Sequence, residues 1–246
     1  MKRYFFEIEY KGKNFFGWQK QPDECSVQET IEESLMKLNS NKSVAIVGCG
    51  RTDTGVHAKQ YYFHADLNIE NQEDWKYKLN TMLPDSIVVK SIFNVDSSIH
   101  ARYGALKRTY RYYVHFNKSA FSNDLSLFLK YKLDFDSMND CAKLLIGKKD
   151  FSSFARSNTD VKHHICDVTS AKWIFVNDNE AYFEISANRF LRNMVRAIVG
   201  TLLEVGAGKL DNYKFQSIIN AQERSKASTS APAHGLFLWS VEYPFQ

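Results

Sequence analysis

A carboxylate flanked by an arginine and two threonines, with a histidine farther on, is packed into one run, Gly50-Arg51-Thr52-Asp53-Thr54-Gly55-Val56-His57-Ala58. An acid set among glycines and threonines can attack carbon as a nucleophile or take a proton as a base. It can also do neither and simply bond its own backbone in an ordinary turn. The glycines let the main chain turn sharply and approach a ligand closely. Arg51, two residues away, supplies a cation that favours the ionised acid. Asp53 is therefore the candidate nucleophile or base. The triplet Asp-Thr-Gly also occurs in aspartic proteases, but that chemistry needs two carboxylates sharing a proton, and the triplet occurs once here.

Two basic clusters stand apart from this run. Arg102, Lys107, Arg108 and Arg111 alternate with Tyr103, Tyr110, Tyr112 and Tyr113. Arg189, Arg192 and Arg196 are spaced by three and four, which predicts one face of a helix. Cations of this kind neutralise phosphates, and rings between them can stack on exposed bases. The competing reading is a solvated strand face and a solvated helix face. The pairing of aromatics with arginines favours a nucleic-acid partner, although a net charge of +4 alone would not announce one. On the functional reading, one arginine of the second cluster approaches the Asp53 loop and holds the carboxylate ionised and oriented.

The elements that must position these groups follow from periodicity. Tyr4 to Tyr10 alternates as a strand, and Ser26 to Asn39 has helical spacing with Ser26 as N-cap and Glu29 three residues on. Strands are expected over 43–47, 60–67 and 87–93, with a helix over 74–82 stopped by Pro84. This order is βαββαβ. The second part repeats it: a strand over 106–116, a helix over 136–146 closed by Gly147, and a hairpin of 165–176 and 181–186 through Asn177-Asp178-Asn179. A helix over 190–205, a helix over 212–220 and a closing strand over 236–243 follow. The expectation is an α+β protein of two ferredoxin-like halves, residues 1–103 and 104–246. Antiparallel sheets would surround a central basic cleft, with helices on the opposite faces. Residues 225–230 are the nearest thing to a small polar linker.

Composition bounds the rest. With 246 residues and 44% apolar content the chain has ordinary globular character. No segment is long and apolar enough to span a membrane, and Met1-Lys2-Arg3-Tyr4 does not resemble a signal peptide. A cytoplasmic protein is expected. Cys25, Cys49, Cys141 and Cys166 are scattered without a CxxC pair, which argues against a disulfide framework or a zinc site. His163-His164 with Cys166 would alternate across an extended segment, so no metal site is expected.

Taken together, these residues resemble the tRNA pseudouridine synthase A (TruA) family over nearly the whole chain. Tyr10-Lys11-Gly12 and Phe16-Gly17-Trp18-Gln19 look like its opening motif, and Ser26-Val27-Gln28 fits its first helix. Gly50 to Ala58 looks like its catalytic loop. Leu83-Pro84, His100-Ala101-Arg102, Arg108-Thr109-Tyr110-Arg111-Tyr112, Asp150-Phe151-Ser152-Ser153-Phe154, Met194-Val195-Arg196 and Gly235-Leu236 follow in family order.

The resemblance implies isomerisation of uridine to pseudouridine on the 3′ side of the tRNA anticodon stem-loop, at about positions 38–40 of the tRNA. It implies no metal, no organic cofactor, and a homodimer with one tRNA spanning both subunits. Asp53 corresponds to the essential aspartate. Arg51 is similar to the arginine that helps displace the target base. Tyr110 matches the tyrosine that stacks on uracil, and Arg196 the arginine that pairs with the aspartate. Arg102, Arg108, Arg111, Arg189 and Arg192 are the expected RNA contacts. Two departures are visible: Thr54 stands where alanine is common, and Lys162-His163-His164 stands where an arginine is expected. An RNA-binding module without catalysis and a hydrolase of small nucleosides are the competing functions.

Overall fold

The computed structural model describes residues 1–157 and 162–245. In chain order its strands and α-helices are β1 (Lys2–Tyr10), α1 (Val27–Leu38), β2 (Val47–Gly48), β3 (His57–Leu67), α2 (Gln72–Met82), β4 (Ile87–Val95), β5 (Lys107–His115), β6 (Leu127–Phe128), α3 (Phe135–Lys143), β7 (Gly147–Asp150), β8 (Ile165–Asn177), β9 (Glu180–Ala187), α4 (Met194–Gly206), α5 (Asn212–Ala221) and β10 (Leu236–Glu242). The α+β class expected from periodicity is the class observed. The chain forms two compact units, Met1–Leu106 with Leu238–Gln246, and Lys107–Phe237.

In the first unit the strand order is β4-β1-β3-β10, with β2 also on β3. β1 pairs antiparallel with both β3 and β4. Adjacent residues of β1 point to opposite faces, yet Phe5 and Phe6 are both wholly buried. Phe6 stacks on its cross-strand partner Phe63 at 4.6 Å. Phe5, on the other face, meets the rings of Tyr243 at 5.3 Å and Phe245 at 5.6 Å, edge on. Tyr243 also lies against Tyr62, and its hydroxyl donates to the carbonyl of Ala101 at 2.6 Å. Aromatic pairs of this geometry each contribute about 0.5–1.5 kcal/mol beyond area burial. The tail, grouped with the second half on sequence grounds, is therefore built into the first unit. It covers the Phe5 face of this sheet.

Helix α1 begins where its sequence predicts: the Ser26 side chain accepts from the Glu29 N–H at 3.2 Å. The strand expected over 43–47 shrinks to the two residues of β2. Ile46 is buried, but its N–H donates to Glu32 and its carbonyl accepts from Gln28, both on α1. Side chains of the helix thus replace the ladder partners a strand would need.

In the second unit the order is β5-β9-β8-β7, antiparallel throughout, with β6 parallel to β5. The β8–β9 hairpin through Asn177-Asp178-Asn179 is as expected; β6 and β7 were not anticipated. Tyr112, Phe183 and Trp173 lie opposite one another on one face and are buried. Helix α3 covers that face: Phe135 meets Trp173 edge on at 5.5 Å, and Asn139 accepts from the Trp173 N–H at 2.7 Å. Helix α4 starts at Met194, four residues later than expected, because Asn193 sits in the left-handed region at φ 66° and breaks the helical path. The polar segment 225–230 is no free linker. A Cβ at Gly200 of α4 would overlap the Thr229 carbonyl, so glycine there lets this segment lie directly on the helix.

Candidate active site

The Asp53 loop joins β2 to β3 and is held at almost every residue. Tyr61 donates its hydroxyl to the Gly50 carbonyl at 2.5 Å. The Trp18 N–H donates to the Thr52 carbonyl at 3.3 Å, and Gly55 N–H to the Phe15 carbonyl at 3.3 Å. Val56 N–H closes a turn onto the Asp53 carbonyl at 3.1 Å. The hydroxyls of Thr52 and Tyr10 share a hydrogen bond of 2.9 Å. His57 is fully buried, and its Nδ1 accepts from the Gly12 N–H at 3.0 Å, so that nitrogen is unprotonated.

A second layer fixes these anchors. Trp18 stacks on Tyr61 at 4.1 Å, and Tyr10 packs edge-on against Tyr61 at 5.6 Å. Gly17 adopts φ +86°, and a Cβ there would stand 2.5 Å from the Thr52 carbonyl. Only glycine lets residues 15–18 run this close under the loop. Asp53 itself is half-buried and Arg51 is exposed. The result is a carboxylate on a short, multiply anchored turn, next to a solvent-facing guanidinium. Such a turn is preorganised to aim an acid without reorganisation on ligand binding.

Arg102 lies in the same unit, exposed on the turn after His100. Tyr110, Arg108, Arg111, Arg189, Arg192 and Arg196 all belong to the second unit. Tyr110 lies opposite Ile185 and so shares the face of Tyr112, the face that α3 covers farther along. Its ring meets Phe190 edge-on at 5.0 Å. Arg111 points to the other face. It pairs with Glu184 at 2.8 Å and lies over the Tyr182 ring at 4.5 Å. Alternation along β5 thus separates Tyr110 from Arg111, although they are adjacent in sequence.

The expected arginine stripe is not on one helix. Only Arg196 lies on α4; Arg189 and Arg192 sit in the loop before it. That loop also brings in Phe190, which sequence reasoning missed; its one signal was an aromatic bracketed by two arginines. Arg196 is anchored at both ends: its Nε donates to the Ala231 carbonyl at 2.8 Å, and its own carbonyl accepts from the Ala231 N–H at 2.9 Å. Neighbouring Asn193 and Arg224 both bond the Ser230 hydroxyl. Tyr112 donates to the Pro232 carbonyl at 2.9 Å, and burial pushes its hydroxyl pKa well above the usual tyrosine value while the Arg196 charge opposes that. Arg189 approaches the His163 ring at 3.4 Å, so the departure at Lys162-His164 lies beside an arginine already singled out.

A family model described as tRNA pseudouridine synthase matches residues 8–104 and 141–244. The chain belongs to the tRNA pseudouridine synthase family, isomerases that act on uridine in tRNA. Among individual proteins it is similar to three named tRNA pseudouridine synthase A. The one from Porphyromonas gingivalis is 45% identical, over 99% of this chain and 98% of the relative. That from Parabacteroides distasonis is 48% identical over 99% and 97%. That from Bacillus subtilis is 38% identical over 96% and 97%. Among the described residues no helix is long and apolar enough to cross a membrane.

Proposed function

We propose that this chain converts uridine to pseudouridine on the 3′ side of the tRNA anticodon stem-loop, with Asp53 as the reacting carboxylate. The observation that carries the reading is the anchoring of the Asp53 turn through Tyr10, Trp18, Tyr61 and Gly17, which a solvated surface turn would not need. The C1′–N1 bond of the uridine breaks, the uracil turns over, and a C1′–C5 bond forms. The C5 proton leaves and N1 gains one. Asp53 either attacks C1′, as the nucleophile of a retaining glycosidase does, or takes a proton from the sugar. No water is consumed, so the freed base must be confined.

In this reading Tyr110 stacks on the uracil, and Arg51 helps displace the target from its helix. Arg196 pairs with Asp53, as the family likeness implies. Extruding the base costs a few kcal/mol, which phosphate contacts from Arg102, Arg108, Arg189 and Arg192 offset. Arg111 was expected in the same set; its partnership with Glu184 makes it the weakest member. Neither a metal nor an organic cofactor enters this chemistry. Two ferredoxin-like halves around a basic cleft, a homodimer sharing one tRNA, and a cytoplasmic location complete the proposal on family likeness.

The test uses tRNA carrying uridine tritiated at C5. Asp53→Asn should keep tRNA affinity within a few-fold and abolish tritium release, with no pseudouridine mapped in the product. Unchanged release by this variant would remove Asp53 from the chemistry. Free uracil without pseudouridine would make the protein a hydrolase instead.

A further inference from the structure

The turn His100–Gly104 is built in an unusual way. Its three successive amides, Ala101, Arg102 and Tyr103, all donate to imidazole nitrogens. Ala101 N–H goes to His64 Nδ1 at 3.1 Å, and Arg102 and Tyr103 N–H go to His100 Nδ1 at 3.1 and 3.3 Å. Both acceptors must be unprotonated at Nδ1 to do this. The histidine rings meet edge-on at 4.9 Å, and the His100 ring lies 4.5 Å from that of Tyr103. Gly104 N–H closes the turn on the His100 carbonyl at 2.8 Å. Ala101 is fully buried, with its carbonyl held by Tyr243. Arg3, paired with Asp66, donates to the carbonyls of Ser97 and Ile99 just before the turn.

This scaffold supports two exposed side chains. Tyr103 is 77% exposed, and the Arg102 guanidinium lies 5.7 Å from the centre of its ring. The amides of Ala101, Arg102, Tyr103 and Gly104 are all bonded, so the turn presents this ring and guanidinium already ordered. It suits a nucleic-acid partner, where ring faces stack on unpaired bases and an adjacent arginine reaches phosphate or base.

We propose that Tyr103 is an RNA-contact residue that stacks on an unpaired base of the bound tRNA, and that His100 is the positioning residue that holds Tyr103 and Arg102 in place for it. This extends the reading of Arg102 given above to a second residue and to the device that orients both. His100 here does the work that Asn, Asp or Ser does at a helix N-cap, accepting from amides two and three residues on. His64 secures the amide between.

Equilibrium binding of an unmodified tRNA transcript, with every variant placed in an Asp53→Asn background so that no turnover occurs, tests this independently of what Asp53 does. Tyr103→Ala should weaken binding by roughly 5- to 100-fold, the range for loss of one stacked base, while Tyr103→Phe keeps the ring and should stay within about twofold. His100→Ala should weaken binding to a similar degree while lowering the thermal midpoint by only a few degrees, and His100→Asn, which restores an acceptor, should recover most of the binding. Tyr103→Ala binding as tightly as the parent would overturn the stacking role. Equal affinities for His100→Ala and His100→Asn would overturn the positioning role. Arg102→Ala with unaltered affinity would remove Arg102 from the RNA contacts and leave Tyr103 judged on its own variants.

Discussion

The hydroxyls of Tyr10 and Thr52, residues only 4% and 8% exposed, lie 2.9 Å apart, and Thr52 stands one residue before the carboxylate that the proposed chemistry uses. The bond ties the Asp53 turn to the end of β1. Removing the Tyr10 hydroxyl deprives the buried Thr52 hydroxyl of this bond, which costs about 1–3 kcal/mol, and removing the Thr52 hydroxyl breaks the same bond from the other side. Part of that cost should appear as misplacement of Asp53. Tyr10→Phe and Thr52→Val are therefore expected to lower kcat by roughly tenfold with a smaller change in KM. Thr52→Ser, which keeps the hydroxyl, should retain most activity. Parent-like kcat in both removal variants would mean that the backbone bonds from Trp18 and Gly55 suffice.

Tyr110 presents its ring against Phe190. If stacking on uracil is its role, Tyr110→Phe should keep far more turnover than Tyr110→Leu. Single-turnover rates separate the two. Equal losses would assign the role to the hydroxyl, through movement of the C5 proton.

The arginines divide by environment. Arg192 is exposed on the loop before α4, whereas Arg111 is paired with Glu184 and lies over the Tyr182 ring. Arg192→Ala should reduce the salt dependence of tRNA affinity by about one counterion. Arg111→Ala should leave that slope nearly unchanged and lower unfolding stability by about 1 kcal/mol instead. Affinity measured across a salt series, with urea unfolding alongside, distinguishes the two behaviours. A shallower slope for Arg111→Ala would return it to the RNA contacts.

His64 makes stability depend on pH. Burial first, then the Arg3 charge, lowers its pKa from 6.5 to about 4. The unfolded chain therefore binds this proton more readily than the folded one. The contribution is complete above pH 6.5 and is lost as pH falls from there towards 4, reaching up to about 3 kcal/mol. Urea unfolding at pH 7.5 and pH 5, with His64→Gln as control, reads this directly. A control that loses as much stability as the parent over that interval would assign the effect to other groups.

Much of this was legible in the sequence, and the exceptions have local causes. Ser26 with Glu29 announced α1 because capping is written in side-chain chemistry two to three residues apart. The Asp53 run was legible because glycine, threonine and acid at that spacing restrict the backbone. Its supports, Tyr10, Trp18 and Tyr61, are core-like aromatics whose hydroxyl or N–H contacts reach across 11 to 42 residues, beyond any local pattern. The start of α4 was misread because the spacing of Arg189, Arg192 and Arg196 is helical, whereas Asn193 takes a left-handed conformation that spacing does not encode. The faces of β5 were readable by alternation, but only the register with β9 says which face carries helices. In the imidazole-held turn, His100-Ala101-Arg102 was visible as a motif, but the part played by His64 left no signature, since it accepts from an amide 37 positions away.

Tyr243 and Phe245 also set the timetable of synthesis. They pack on Phe5 of β1 and Tyr62 of β3, strands far earlier in the sequence. On the ribosome β1 and β3 emerge early, yet this ring cluster must wait until Phe245 has been made. The Lys107–Phe237 unit, by contrast, can finish folding while its neighbour is still incomplete. Loss of the residues after Leu238 would therefore injure the unit that contains β1, although β1 is made long before them.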